Sequence, residues 1–254
     1  MIIRKSQQEI ETMARAGRVV ADTLALLGEH IGPGITTQAL DALAEEYIHS
    51  QGGEPTFKGY KGYPAATCLS PNGMVVHGIP GKDPLVDGDI LSVDVGVTLD
   101  GFVADSAWTY AVGAIDAEAQ RLLEVCQSAL EAGIEQARAG NTISDISRAV
   151  QTVTEAAGFS VIRSLVGHGV GRSMHEDPQV PNFVSSYRGP ELKEGMTIAI
   201  EPMITVGSPE VYIHDDEWSI STTDSSLAAH FEHTVAVTEA GPRILTSKER
   251  VLVP

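Results

Sequence analysis

Leu85-Val86-Asp87-Gly88-Asp89-Ile90-Leu91-Ser92-Val93-Asp94 and Leu192-Lys193-Glu194-Gly195-Met196-Thr197-Ile198-Ala199-Ile200-Glu201 follow one pattern. Each runs from an acidic residue and a glycine, the mark of a turn, through an apolar strand to one carboxylate. A repeat that ends both copies on an acid inside apolar sequence implies two half-sites facing one another, and buried acids require a compensating cation. The cation expected is a metal, and the function expected is hydrolysis.

The repeat extends upstream, where Gly34-Ile35-Thr36-Thr37 is matched by Gly140-Asn141-Thr142-Ile143 and Gly52 by Gly158. The simplest description is a duplicated helix-helix-strand unit of roughly a hundred residues within one domain. The domain is expected over 1–254, with halves of approximately 1–112 and 113–254. Neither half need fold alone, because each covers the carboxylate face of the other. Ser6-Gln7-Gln8-Glu9 is a capping box ahead of Ile10, Met13, Ala14, Gly17, Ala21 and Leu24, spaced as one helical face. Thr36-Thr37 opens a second helix that Gly52-Gly53 closes. Asp116 and Thr142 open the second pair, the last ending near Gly158.

Between the pairs, a strand from Ile90 to Leu99 meets Asp100-Gly101 and a return strand from Phe102 to Val112, a strong hairpin signal. With Asp100-Gly101 as the loop, Leu99 pairs with Phe102, Gly96 faces Asp105 and Asp94 faces Ala107. Parity then puts Asp94 and Asp105 on one face as diagonal neighbours, about 7–8 Å apart at their backbones, a spacing that suits two carboxylates sharing metal ions. The plainer alternative is two solvent-facing acids on an edge. In the second copy the return strand is expected late, from Ala229 to Val237, with Glu232 sharing parity with Thr234 and Ala236. The inserted stretch, with Tyr212, His214 and Trp218, is expected to wall a substrate pocket. His168 lies in Gly167-His168-Gly169-Val170-Gly171, where glycines permit close backbone approach. A histidine among glycines reads by itself as a loop residue; its place between Asp105 and Glu201 gives it weight.

The chain has 254 residues, an apolar share of 43% and a formal charge of −17, from 17 basic and 34 acidic residues. The charge argues against a polyanion-binding surface, so no nucleic acid is expected. No apolar run reaches membrane-spanning length and the N-terminus has no apolar signal core, so a cytoplasmic protein without a membrane partner is expected. Cys68 and Cys126 make no disulfide framework and read as packed thiols.

The ordered set Asp94, Asp105, His168, Glu201 and Glu232, within CLSPNGMVVHGIP, DVGVTLDGFVADS, GHGVGRSMHEDPQVPN, GMTIAIEPM and HFEHTVAVT, resembles the type I methionine aminopeptidases. The resemblance covers nearly the whole chain, in the compact form of the short bacterial-type enzymes. It implies an α+β pita-bread fold of the creatinase/aminopeptidase kind, two pseudo-symmetric helix-helix-strand halves around a curved antiparallel sheet. It implies two divalent ions, cobalt, manganese, iron or zinc, with Asp94 on one, Asp105 and Glu232 bridging, and His168 and Glu201 completing the other shell. Glu201 is then also the proton acceptor for the attacking water, His175 lies near the scissile carbonyl and His77 near the peptide beyond the cut. Read without the resemblance, His77 is a turn histidine.

A methionine pocket lined by Tyr60, Tyr63, Cys68 and Trp218 is carried over on the same basis, since aromatic and sulfur surfaces suit a thioether. The chain departs from the family at Met174, where an aromatic is common, and at His230, where glutamine is usual. The implied activity is removal of the initiator methionine from nascent polypeptide N-termini before a small second residue, by a monomer in transient contact with the ribosome. Two rivals share the fold: X-Pro aminopeptidases and prolidase-like enzymes, which carry a further N-terminal domain, and metal-free binding scaffolds, which lose ligands.

Overall fold

The computed structural model describes residues 1–186 and 188–247. The last residues of the expected domain, 248–254, lie outside the described residues. Four α-helices are present among the described residues: α1 Gln7–His30, α2 Thr37–Ser50, α3 Ala117–Glu135 and α4 Ile143–Ala156. Their starts follow from side chains expected to cap them. Ser6 accepts from Glu9 N while Glu9 returns its carboxylate to Ser6 N at 2.8 Å, Thr36 accepts from Ala39 N, and Asp116 accepts from Ala119 N. The matched turns adopt matched conformations: Gly34 and Gly140 both have φ +94°, and Gly88 and Gly195 have +97° and +84°.

The Ile90–Leu99 and Phe102–Ala111 strands form the expected hairpin, with Leu99↔Phe102, Gly96↔Asp105 and Asp94↔Ala107. The second strand stops at Ala111, one residue short, because Val112 N donates to Asp89 O in the turn closing that end. Cys68–Pro71 joins the other edge of Ile90–Leu99, pairing Cys68 with Asp94. Alternation divides the strand by face. Leu91, Val93, Val95 and Val97 face outward onto Val20, Leu24, Leu27, Leu40, Ala44 and Ile48 of α1 and α2. Asp94 and Gly96 take the other, inner face.

A second core of the same design joins Leu122, Cys126, Leu130 and Ile146 of α3 and α4 to Ile198, Ile200, Val235 and Val237. Its sheet runs Gly241–Ile244, His233–Thr238, Thr197–Ile200, Gly167–Gly169, Glu176–Val180, neighbour to neighbour and antiparallel throughout. Trp108 touches both cores. Gly167 and Gly169 fit here because a Cβ on either would stand 2.4 Å from Ala199 O or 2.2 Å from Asp177 O.

Two expectations are corrected. The late return strand is not continuous: Ala228–His230 and His233–Thr238 are separate, interrupted at Phe231-Glu232. Opposite the gap, Pro202 has no N–H to donate, and Glu232 N donates instead to Ala107 O of the first half. The register is the same on both sides of the gap, Ile200↔His233 and Met203↔His230, so Glu201 stands opposite Glu232. Of the inserted stretch only Trp218 reaches the pocket. Val211–Ile213 is the outer strand of a three-stranded sheet, and Tyr212 stands 47% exposed against the His214 ring, with centroids 4.7 Å apart.

Candidate active site

The inner faces of the two halves enclose a cavity of about 330 Å³. Twelve of the residues singled out from the sequence line it: Asp94, Asp105, His168, Glu201 and Glu232 together with His77, His175, Tyr60, Tyr63, Cys68, Met174 and Trp218.

The ligand-type side chains are held by backbone that hydroxyl groups brace across the two halves. Thr234 Oγ1 accepts Asp105 N–H at 3.0 Å and donates to Asp105 O at 2.8 Å. Thr109 Oγ1 does the same for His230, accepting its N–H at 3.0 Å and donating to its carbonyl at 2.8 Å. Ser106 Oγ donates to Glu232 O at 2.5 Å. Each half thus fixes a strand of the other next to the carboxylates.

The electrostatics are those of an acidic cluster out of water. Asp105, His168 and Glu232 are buried, and their donor atoms all lie within 4.8 Å of one another. His168 Nε2 lies 3.5 Å from Glu201 Oε1 and 3.7 Å from Asp105 Oδ2. Its Nδ1 stands 2.9 Å from the Gly169 carbonyl, which can only accept, so Nδ1 carries the proton and the Nε2 lone pair faces carboxylate oxygens. Burial pushes Asp94 up to about 7. Burial and then the neighbouring acids push Asp105, Glu201 and Glu232 well above the carboxylate range. Burial holds His168 down to about 4, with His175 adding to the effect.

Asp94 Oδ1, Asp105 Oδ1 and Glu232 Oε1 are buried without a hydrogen-bond partner. Four carboxylates and one imidazole gather here with no Lys or Arg among the described residues paired to them, so the set fits a divalent cation: hard oxygen ligands, one nitrogen, and a carbonyl fixing the imidazole tautomer.

Around this centre the cavity changes character. Tyr63, Cys68 and Met174 are buried in one apolar cluster, with Tyr60 and Trp218 against it. Tyr63 meets Trp218 edge-on at 5.1 Å and donates its hydroxyl to Thr67 O and Gly78 O. Desolvation, with Asp94 nearby, keeps the Cys68 thiol protonated. Tyr60 Oη lies 2.8 Å from His175 Nδ1, and the His175 ring stands 4.3 Å from that of His168. His175 is lowered by burial and by Lys61, and His77 is held down to about 4 by burial and His175, so both are neutral imidazoles at pH 7.

Sequence reasoning missed several parts of this wall. Phe57, Lys61, Val76, Met203 and Ser164–Val166 belong to it, and His230, marked in the sequence only as a departure from the family, lines it beside Glu201 and Glu232. No pattern marks Thr109 or Thr234 as braces, since a threonine in a strand reads simply as a strand former.

The sequence profile of metallopeptidase family M24 matches residues 11–239. Over 246 residues the chain is 50% identical to a methionine aminopeptidase of Clostridium perfringens, covering 97% of this chain and 99% of that protein. Methionine aminopeptidase 1 of Bacillus subtilis is similar to the same extent, 50% over 246 residues with 97% and 99% covered. The crystal structure of a methionine aminopeptidase from Thermotoga maritima superposes with a TM-score of 0.96 at 44% identity, over 98% of this chain and 100% of that one. Prolidase from Pyrococcus furiosus is more distant, with a TM-score of 0.79 at 25% identity over 98% of this chain and 66% of that one.

Proposed function

The chain belongs to metallopeptidase family M24, and we infer that it hydrolyses the N-terminal methionine from peptides and nascent proteins. The observation that carries this reading is the convergence of four carboxylates and His168, with buried unpartnered oxygens, beside an aromatic and sulfur-lined pocket.

In this reading Asp94, Asp105, His168, Glu201 and Glu232 would together hold the divalent ions, with Asp105 and Glu232 shared between them. Cobalt, manganese, iron and zinc all suit such a donor set. The bound ions supply a water of lowered pKa and Lewis acidity at the scissile carbonyl. The chain's own groups do the rest. Glu201, at the cavity edge, takes the proton of the attacking water and returns it to the leaving amine. With Tyr60 donating to His175 Nδ1, His175 keeps its proton on Nε2 and presents it to the carbonyl oxygen as negative charge develops there. His77 contacts the peptide beyond the cut. Tyr60, Tyr63, Cys68, Met174 and Trp218 enclose the methionine side chain, whose polarizable sulfur suits aromatic edges. The acidic cluster offers a place for the substrate's free amine, which confines cleavage to the chain terminus. A side chain larger than Gly, Ala or Ser at the second position would press on the wall near His77 and displace the carbonyl.

The same reading makes the protein one catalytic domain of two half-units, a cytoplasmic monomer meeting nascent chains in transient contact with the ribosome. No helix among the described residues is long and apolar enough to cross a membrane. The test compares Met-Ala-Ser, Met-Leu-Ser and an X-Pro dipeptide. Free methionine from the first, far less from the second and no cleavage of the third support the reading; X-Pro cleavage without methionine release replaces it with the prolidase-like one.

A further inference from the structure

We propose that His230 is a further nitrogen donor to the metal centre, so that this site holds its ions through two imidazoles. The proposal rests on the metal-centre reading above and adds a ligand that the family resemblance, which expects glutamine here, does not supply.

His230 is 2% exposed, and both of its ring nitrogens are buried without a hydrogen-bond partner. An imidazole in that state leaves a donor and a lone pair unmade, which a folded interior disfavours unless something else engages the ring. The nearest polar groups identify what that is. Nε2 lies 3.8 Å from Glu201 Oε2 and 3.8 Å from Glu232 Oε2. Both distances are too long for hydrogen bonds. They suit donors around one ion: two atoms each about 2.0–2.2 Å from it stand about 3 Å apart at right angles and about 4 Å apart when nearly opposite. His168 Nε2 has the same relation on the other side, 3.5 Å from Glu201 Oε1 and 3.7 Å from Asp105 Oδ2. Glu201 therefore lies between two imidazoles, one carboxylate oxygen toward each.

The backbone holds this arrangement. His230 ends the Ala228–His230 strand immediately before the gap that lets Glu232 turn inward, and its N–H and carbonyl are both engaged by Thr109. A second imidazole raises the nitrogen share of the donor set, which favours cobalt, zinc or iron over the oxygen-preferring manganese.

The test uses the full-length protein loaded with cobalt(II). Paramagnetically shifted, solvent-exchangeable N–H resonances count ligated imidazoles: two are expected in the wild type and one in His230→Gln. Cobalt affinity should fall at least ~10-fold in His230→Gln, while manganese affinity changes less than ~3-fold. One shifted N–H in the wild type, or a variant with the wild-type spectrum and affinities, overturns the proposal while leaving the five-ligand centre intact. If His230→Gln does not fold, the wild-type count decides. A wild type that binds no cobalt overturns the metal-centre reading itself.

Discussion

Thr234 Oγ1 both accepts the Asp105 N–H, at 3.0 Å, and donates to the Asp105 carbonyl, at 2.8 Å, so a hydroxyl from one half of the chain satisfies the backbone of a candidate metal ligand in the other. Thr234 is fully buried. Replacing it by valine keeps the shape and leaves two buried backbone groups unmade. Thr234→Val is expected to cost ~1–3 kcal/mol of stability, read by denaturant unfolding, and to weaken cobalt binding about tenfold. Thr234→Ser should retain most of both. A valine variant with wild-type stability and metal affinity would show that the brace does not position Asp105.

Asp105 and Glu232 are expected to be indispensable to turnover and dispensable to folding. If these carboxylates bridge two ions, as proposed above, losing either dismantles both sites, so Asp105→Ala or Glu232→Ala should lower kcat/KM at least ~1000-fold, about 4 kcal/mol. Without metal, Asp105 is raised by burial and by Glu232 and Asp94, so Asp105→Asn relieves repulsion and should melt no lower than the metal-free wild type. It should also lose most of the stabilisation that cobalt gives the wild type, ~2.7 kcal/mol at a hundredfold excess over Kd. Wild-type turnover in either alanine variant would remove the dinuclear arrangement.

The pH dependence of the metal-free protein has a definite sign. Asp94 is raised from 3.8 to about 7, so above the ordinary carboxylate range the unfolded chain has released a proton that the folded state keeps; stability falls as pH rises through about 7. Asp105, Glu201 and Glu232, raised by burial and by neighbouring acids, act in the same direction. The buried histidines act oppositely: His168 at about 4 and His230 at about 3, against an ordinary 6.5, lose stability as pH drops below 6.5. Above that pH only the carboxylates remain. The Tm of metal-free protein should therefore fall as pH rises from 6.5 through about 7, and saturating cobalt should abolish the fall. A metal-free Tm that rises over that range would contradict the buried acidic cluster.

Much of this site was legible in the sequence, for identifiable reasons. Asp100-Gly101 fixes a two-residue loop, and with a period of two it sets the register that places Asp94 and Asp105 diagonally on one face. The acidic-Gly turns before both strands mark the duplication. What escaped depends on contacts between the halves. The strand interruption at Phe231-Glu232 comes from Pro202 and from Ala107 taking the Glu232 N–H, neither of which a local pattern records. Tyr212 and His214 alternate plausibly for a pocket wall, yet Tyr212 stands exposed on the outer strand and His214, just past it, is held at 2.7 Å to Ser221 Oγ. His230, two residues before Glu232, shares its strand parity, yet the sequence marks it only as a departure from the family's glutamine; that its ring nitrogens stand unpartnered beside Glu201 and Glu232 is a contact between strands that no local pattern records.

Met174, 6% exposed, lines the cavity in one cluster with Tyr63 and Cys68. Met can repack where an aromatic ring cannot, so Met174→Phe should change kcat/KM by no more than ~1.5 kcal/mol, about tenfold. It should sharpen discrimination between methionine and norleucine termini by at most ~1–3 kcal/mol. Met174→Ala should hollow the pocket and raise KM for methionine substrates. Unchanged KM and selectivity in both variants would mean that this side chain does not meet the substrate.

The central claim is that a buried acidic cluster holding divalent ions removes an N-terminal methionine. The most direct measurement is release of free methionine from Met-Ala-Ser by metal-stripped protein titrated with cobalt, manganese, iron or zinc. No release is expected without metal, a return of activity with at least one of the four, and none on the N-acetylated peptide, which lacks the free amine. Undiminished release by the stripped protein, or equal cleavage of the acetylated peptide, would contradict it.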